Sequence, residues 1–286
     1  MLTLSLQKSL ELTQGQKQSE ILSSKTPDLS LIELIPFIPA NSGDRHEWTV
    51  ETGLREAKFR GEGEFIVAET ASERAERSES KVSSISNMVY DEELDSFQLE
   101  TWDNPELEVA KITTNRSNKM LDAYQRYFLS GDIDRNYKGF NGLIKLCPDG
   151  QIVQGSQDIY KDMIRMRAKV NKGEEAVYIM NESTLVLLEA QDKESITKTR
   201  TDFGVPLTSL GPNNILAMPD SYLPIGTVLL VLFDKDEGVA GLTKSGLSVR
   251  NLGEMHDTSS IKIRFEWFCG VALMNPKGIS VRKEVI

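Results

Sequence analysis

The segment from residue 41 to residue 81 constrains the fold most strongly, because it has the texture of strands but little that could form a core. His46-Glu-Trp-Thr-Val-Glu-Thr52 alternates imperfectly between polar and apolar residues, as a half-exposed strand does. Glycines interrupt residues 57–67, and residues 69–81 are charged and almost free of large apolar side chains. A hairpin of this kind is stable only when another segment pairs with it or packs on it. The sequence therefore predicts a long, solvated β-excursion that depends on a partner surface.

Residues 1–35 are predicted to form an arm in front of this excursion. The stretches at residues 14–20 and 23–27 are polar and hold too few apolar side chains for a core. Apolar residues recur at the four-residue spacing of short amphipathic helices at Leu2, Leu6 and Leu10 and at Leu31 and Ile35. Two interpretations stay open: a flexible tail, or a segment that is ordered only by contact with a neighbouring chain.

Packed sequence is predicted to begin at residue 82. Buried positions are expected at Val82, Ile85, Met88, Val89, Leu94, Phe97 and Leu99. Asn104-Pro105 is typical of a helix start, because the Asn side chain caps the first turn and Pro fits into it. Apolar residues then follow at spacings of three and four until Gly131, which is a stop signal. These signals predict a helix of about 25 residues and about 38 Å.

The second half of the chain mixes helical and strand patterns. A loop with a short strand is expected at residues 140–146, an amphipathic helix at 156–170, and strands at 176–180, 213–218, 227–233 and 261–273. Trp267 in the last of these strands is expected to be buried, and Asp234-Lys-Asp-Glu-Gly238 to form a turn. Helices and antiparallel strands mix without a βαβ rhythm, which predicts an α+β fold.

Charge, hydropathy and cysteine usage exclude several classes of protein. The 33 basic and 43 acidic residues give a net charge of −10, the opposite sign to that of a protein that grips phosphates over a broad face. The longest apolar run, residues 227–233, is too short to cross a bilayer, and residues 1–14 do not resemble a secretory signal. Cys147 and Cys269 form no pattern and are expected to be free thiols in a reducing compartment.

No motif in the sequence predicts catalysis or metal binding. His46 and His256 are the only histidines, and no serine lies in a G-x-S-x-G elbow. Histidines and cysteines lack the short paired spacings of a zinc site, and residues 234–245 depart from a calcium loop at the glycine and at the final ligand. A chain with a core, a solvated hairpin and no convergent polar site is predicted to self-associate and to need no cofactor.

The order of these elements resembles that of tailed-phage major capsid proteins of the Hong Kong ninety-seven fold. The similar local stretches are Ile35-Pro-Phe37, Phe59-Arg-Gly-Glu-Gly-Glu64, Phe140-Asn-Gly-Leu143, Arg264-Phe-Glu-Trp-Phe-Cys-Gly-Val-Ala272 and Asn275-Pro-Lys-Gly-Ile279. The resemblance covers nearly the whole chain, and its force comes from the order and spacing of these stretches.

The resemblance implies a domain organisation. Residues 1–40 would be an N-terminal arm, residues 41–82 an extended loop built as a β-hairpin, and residues 83–146 a peripheral domain whose spine helix spans about 104–130. Residues 147–255 would form an axial domain, and residues 256–286 the closing strand of the peripheral domain with the C-terminal segment. The extended loop of this family lies over a neighbouring subunit, which implies an assembly interface at Trp48, Arg55, Lys58, Phe59 and Arg60.

The resemblance also implies the partners. Copies of the chain would assemble, without catalysis, into hexamers and pentamers of an icosahedral bacteriophage virion that encloses double-stranded DNA without sequence-specific binding or a membrane. An acidic chain suits this role, because a basic inner wall would hold the packaged polymer. Because the arm before the extended loop is short, we expect no cleaved scaffolding segment and a separate scaffolding protein. A portal, decoration proteins and assembly in the bacterial host cytoplasm are implied as well.

Two other interpretations remain. An encapsulin-like compartment shell would share the fold but package enzymes. A soluble enzyme or ligand-binding protein with an unrecognised site would instead show a concave apolar pocket with convergent polar groups.

Overall fold

The computed structural model describes residues 31–51, 62, 78–191, 195–200, 206–255 and 258–284. Within these ranges the strands form two sheets, and a long helix packs against the first of them. Most neighbouring strands are antiparallel. This mixture confirms the predicted α+β class.

The first sheet is built around two long strands. Its members are β1 (Phe37–Pro39), β2 (Arg45–Glu51), β3 (Ser78–Asp95), β10 (Val239–Thr243), β11 (Ser248–Glu254) and β12 (Ser260–Leu273). The order is β1-β10-β12-β3-β2, and β11 pairs with β12 beside β10. Strand β12 pairs with the second half of β3, whereas β2 pairs only with the first half. The predicted strands at residues 46–52 and 261–273 are confirmed as β2 and β12.

The second sheet collects the apolar strands of the second half of the chain. Its members are β4 (Ile152–Gln154), β5 (Val177–Asn181), β6 (Ile196–Arg200), β7 (Pro206–Leu210), β8 (Asn213–Met218), β9 (Val228–Val231) and β13 (Ile279–Lys283). The order is β4-β13-β9-β5-β8-β7-β6. Strands β5 and β9 are buried throughout, as continuous apolar runs in the middle of a covered sheet are. The predicted strands at residues 176–180, 213–218 and 227–233 are confirmed.

Helices cover both sheets. They are α1 (Leu31–Leu34), α2 (Ser96–Thr101), α3 (Pro105–Ser130), α4 (Leu143–Leu146), α5 (Ile159–Lys169) and α6 (Glu182–Gln191). Helix α3 starts where the Asn104 side chain accepts from the Leu107 N–H at 3.3 Å. It ends at Gly131, where a side chain would lie 2.5 Å from the Tyr127 carbonyl oxygen and 2.6 Å from that of Phe140. The predicted long helix is therefore confirmed at both ends.

Two apolar clusters hold these layers together. In the first, Tyr124 of α3 lies with its ring centroid 4.6 Å from that of Trp267, and its hydroxyl donates to the Gly270 carbonyl at 3.0 Å. Trp267 is buried, as predicted. The second cluster lies between α5, α6 and one face of the second sheet, and its fully buried side chains include Met163, Met166 and Leu188.

Three of the predicted buried positions are wrong. Val82, Val89 and Phe97 are exposed, whereas Leu94 and Leu99 are buried. Val82 lies in the first half of β3, which pairs with β2 alone. Val89 alternates with Met88, which packs on the first cluster, and so lies on the opposite face of the strand. Phe97 lies on α2, not on a strand.

Two further expectations differ from the structure. The short strand expected within residues 140–146 is helix α4, whose amides at Lys145 and Leu146 both donate to the Gly142 carbonyl at 3.0 Å. A four-residue apolar run does not separate a strand from a helical turn by pattern alone. Leu31 and Ile35 are buried in the chain's own first cluster, so this part of the arm packs within its own subunit.

Three strands join sheets across the boundary at residue 255 that the resemblance implied. Strands β10 and β11, which precede residue 255, hydrogen-bond to β12 in the first sheet. Strand β13 from the C-terminal segment lies in the second sheet, between β4 and β9.

Candidate assembly surfaces

The predicted interface residues cluster at the hairpin, and the structure describes one of them. Trp48 lies on β2, opposite Lys81 of β3, and its indole N–H donates to the Met274 carbonyl at 3.2 Å. Its ring centroid is 5.7 Å from that of His46. Arg55, Lys58, Phe59 and Arg60 lie outside the described residues. Trp48 therefore joins the base of the hairpin to the end of β12 within its own subunit.

Ion pairs connect β3, the strand that leads out of the hairpin, to β12 and α3. Arg264 donates to both carboxylate oxygens of Asp91, at 2.8 and 2.9 Å, and the Lys262 ammonium lies 3.2 Å from the same carboxylate. The hydrogen bonds from Arg264 are the main reason that the pKa of Asp91 falls to about 2. At the neighbouring position Arg116 of α3 pairs with Glu92 at 2.7 Å. The second half of β3, next to the hairpin, is therefore held by ion pairs to both β12 and α3.

The two cysteines are buried thiols. Burial raises the pKa of Cys147 to about 11 and that of Cys269 to about 12. The thiolate is the reactive form, so both groups are inert near neutral pH.

Other residues considered for chemistry serve as local structure. The Asp234 carboxylate accepts from the amides of Asp236 and Glu237 at 2.8 Å each, which confirms a turn at residues 234–238. His46 lies on β2, and His256 is outside the described residues. In the part of the chain that the structure describes, no group of three His, Cys, Asp or Glu side chains is placed to hold a metal. Likewise, none of the described helices is long and apolar enough to cross a membrane.

A buried ion pair between Arg282 and Asp162 was not predicted. The Arg282 Nε donates to Asp162 at 3.0 Å, and its terminal nitrogens donate to the carbonyls of Ser156, at 2.6 Å, and Gly226. The Ser156 N–H donates to the same carboxylate at 2.6 Å. Asp162 and Arg282 are 120 residues apart, so the sequence gives one indication of the pair, which is a charged Arg282 within the apolar strand β13. It joins β13 to the start of α5 and to the turn before β9.

Helix α6 carries an exposed apolar surface that was also missed. Its inner side is buried at Thr184 and Leu188, but Val186 and Leu187 on its outer side are 64% and 47% exposed. Ile225, which is 56% exposed, precedes Gly226, whose N–H donates to the Thr184 hydroxyl of α6 at 2.8 Å, so the turn that carries Ile225 adjoins the helix. We call Val186, Leu187 and Ile225 the apolar patch.

A groove lies at the edge of the second sheet, where β4 meets α5. It has a volume of about 530 Å³ and runs between β4 and the outer side of α5. Its lining residues are Ile152, Val153, Gln154, Arg165, Ala168 and Lys169. Apolar groups form most of its wall, and two cationic side chains stand along it. We call this surface the basic groove.

The arrangement of the two sheets and the long helix is the Hong Kong ninety-seven fold that the resemblance implied, which the comparison with solved structures confirms. Three solved structures show the same fold along the length of the chain. The capsid of an empty GTA particle matches with a TM-score of 0.67 at 12% identity, covering 92% of this chain and 91% of that chain. The capsid of the cyanophage P-SCSP1u matches with a TM-score of 0.62 at 10% identity, covering 91% and 90%.

The third of these structures is the holo-SrpI encapsulin complex from Synechococcus elongatus. It matches with a TM-score of 0.65 at 14% identity, covering 91% of this chain and 90% of that chain. No protein-family model and no curated protein sequence matches the chain. The similarity is therefore one of fold.

Proposed function

We propose that this chain is the major capsid protein of a tailed bacteriophage. Copies associate into hexamers and pentamers that close an icosahedral shell around double-stranded DNA, and the chain performs no catalysis. The observation that carries the proposal is the shared fold over about nine-tenths of the chain with the capsids of a GTA particle and of a cyanophage. The net charge of −10 supports it, since an acidic container does not hold the packaged DNA.

The hairpin supports the proposal because its own subunit gives it little to pack on. Every described residue from 41 to 50 has at least a partly exposed side chain. In the proposed shell, residues 41–82 form an extended loop that lies over a neighbouring subunit, with Trp48, Arg55, Lys58, Phe59 and Arg60 in the interface. A contact of this kind is heterologous, so each subunit presents two complementary surfaces.

The proposed domain organisation follows the same scheme. Residues 1–40 serve as an arm, residues 83–146 with the closing strand in residues 256–286 as the peripheral domain, and residues 147–255 as the axial domain, of which β10 and β11 pair in the first sheet. A separate scaffolding protein, a portal and decoration proteins are the proposed partners. The proposed location is the virion, after assembly in the bacterial cytoplasm.

An encapsulin-like compartment shell is the second candidate function, and the match to an encapsulin complex favours it. The two candidates differ in their contents. Particles purified from the native source and treated with nuclease would retain double-stranded DNA if the chain is a phage capsid protein. They would instead retain a protein cargo if it forms a compartment.

Negative-stain electron microscopy with sizing of the expressed protein tests the proposed function. We expect closed shells, or free hexamers and pentamers. A chain that stays a monomer at high concentration, also in the presence of its scaffolding protein, would contradict the proposal.

A further inference from the structure

The apolar patch on α6 has the character of a contact surface. The outer side of a surface helix normally carries polar residues, whereas α6 presents Val186 and Leu187 there, and Ile225 extends the surface. Val186 and Leu187 are consecutive in the helix, and exposed apolar residues that lie together, rather than singly, are a feature of interaction sites. Carboxylates flank the patch at Glu182, at the start of the helix, and at Asp220, whose side chain accepts from the Ser183 hydroxyl at 2.6 Å.

The basic groove has the complementary character. Its floor is apolar at Ile152, Val153 and Ala168, and its rim is cationic at Arg165 and Lys169. The Lys169 ammonium donates to the carbonyls of Gly150 and Ile152 at 2.9 and 3.1 Å, which holds this charge at the rim. The Arg165 side chain is 64% exposed and lies 3.4 Å from a carboxylate that Arg282 already binds more closely. Its guanidinium is therefore held weakly and is able to reach a carboxylate on another molecule.

The two surfaces belong to different parts of one helix layer, because β4 is at the edge of the second sheet whereas α6 lies over its inner strands. Helix α5 packs on β4, β9 and β13, whereas α6 packs on β5 and β8, and the two helices touch each other. The basic groove is on the β4 side of α5, and the apolar patch is on α6. A subunit therefore cannot bring its own patch and groove together, but two copies placed side by side can do so.

We propose that the apolar patch of one copy docks into the basic groove of the next copy, head to tail, around the symmetry axes of the shell. The inference rests on the proposed function and names the surfaces that join neighbouring second sheets. Apolar side chains meet the apolar floor, and Glu182 and Asp220 approach Arg165 and Lys169. Repetition of a head-to-tail contact closes a ring when the rotation between copies divides a full turn.

Blocked variants of the full-length chain test the contact. Leu187→Glu blocks the patch, Ala168→Glu blocks the groove, and Glu is a good helix former at both exposed positions. Each variant alone is expected to lose rings and shells. A mixture of the two retains one intact patch and one intact groove, so we expect a one-to-one dimer and no larger species by sedimentation and native mass spectrometry.

Val186→Glu and Arg165→Glu serve as second variants of the patch and the groove, with circular dichroism and thermal melting to show that each is folded. The matched control mixes Leu187→Glu with Val186→Glu, which block the same surface, and is expected to give monomers only. The docking contact is rejected, and the proposed function is not, if the folded variants still form rings. The same holds if the mixture of Leu187→Glu and Ala168→Glu gives no dimers. An unmodified chain that never associates overturns the proposed function as well.

Discussion

At the scale of single residues, the buried ion pair of Arg282 and Asp162 predicts that removing one partner costs more stability than removing both charges. Arg282→Leu leaves the Asp162 carboxylate buried without its cation, and we expect a loss of about 3–5 kcal/mol in the free energy of unfolding. The double variant with Asp162→Asn removes the unpaired charge and should lose less than Arg282→Leu alone. Urea unfolding of both variants measures the difference. Equal losses would show that the pair acts only through packing.

Trp267 contributes by packing. Its ring contacts those of Tyr124 and Phe37, with centroids at 4.6 and 5.8 Å, and its N–H donates to the Thr243 hydroxyl at 3.2 Å. Trp267→Ala opens a cavity between α3 and the first sheet, and we expect a loss of about 3–5 kcal/mol in the free energy of unfolding. Denaturant unfolding followed by circular dichroism checks this value. A loss below about 1 kcal/mol would contradict the observed packing.

Asp91 makes stability depend on pH in the acid range. The folded state lowers the pKa of Asp91 from 3.8 to about 2, so the fold favours the ionised carboxylate. The stability that this provides is fully present above about pH 4 and is lost as the pH falls through about 2. Between these values the melting temperature of the unmodified chain should fall more steeply than that of Asp91→Asn. Parallel curves for the two proteins would contradict the prediction.

At the scale of elements, the hairpin formed by β2 and the first half of β3 is separable from the core. The Ile85 N–H donates to the Asp44 carbonyl at 2.8 Å, so these two residues face each other across the strands. Replacing residues 45–84 with Gly-Gly would close the chain there with a short turn. We expect the melt to stay cooperative while assembly is lost, because the replaced residues include none of the described buried ones.

Thermal melting by circular dichroism, together with sizing, measures both effects in the same preparation. The matched control is Glu62→Gln, which changes a single exposed position of the replaced segment. That variant should melt and assemble as the unmodified chain does. Loss of the cooperative melt in the shortened chain would show that the hairpin belongs to the core.

Elements with local signals were predictable from the sequence, and those defined by distant partners were not. Helix α3 was predictable because Asn104, Pro105 and Gly131 mark its ends and apolar spacing marks its length. The exposure of Val82 was not, because it depends on which neighbour pairs with the first half of β3. The apolar patch was hidden because α6 is apolar on both sides, so its sequence pattern does not separate a core face from a contact face.

At the scale of the whole molecule, the α+β class was predictable because helical and strand patterns mix without a βαβ rhythm. Self-association stays a prediction. The contact of β13 with α5 in the second layer was not predictable. Asp162 and Arg282 are 120 residues apart, and no local signal links positions so distant in sequence. The same applies to β1, whose partner β10 lies in the second half of the chain.

Assembly should also change the apparent stability of the subunit. Association with neighbours stabilises the folded state by mass action, so the melting temperature of assembled protein should exceed that of free subunits and rise with protein concentration. Differential scanning calorimetry of separated shells and free subunits at several concentrations measures this. Identical, concentration-independent melts would show that association adds nothing to the fold.

The position of β13 has a consequence for the order of events during synthesis. Strand β4 has β13 as its partner in the sheet, and β13 is translated after every other described strand. While the ribosome is still adding residues between them, β4 has no partner in the sheet and Asp162 has no Arg282. The basic groove, which β4 and α5 form together, is therefore completed only after translation has passed residue 283. In the proposed head-to-tail contact, nascent chains on one messenger would thus not join each other through this groove, and prematurely terminated products would not enter the proposed shell.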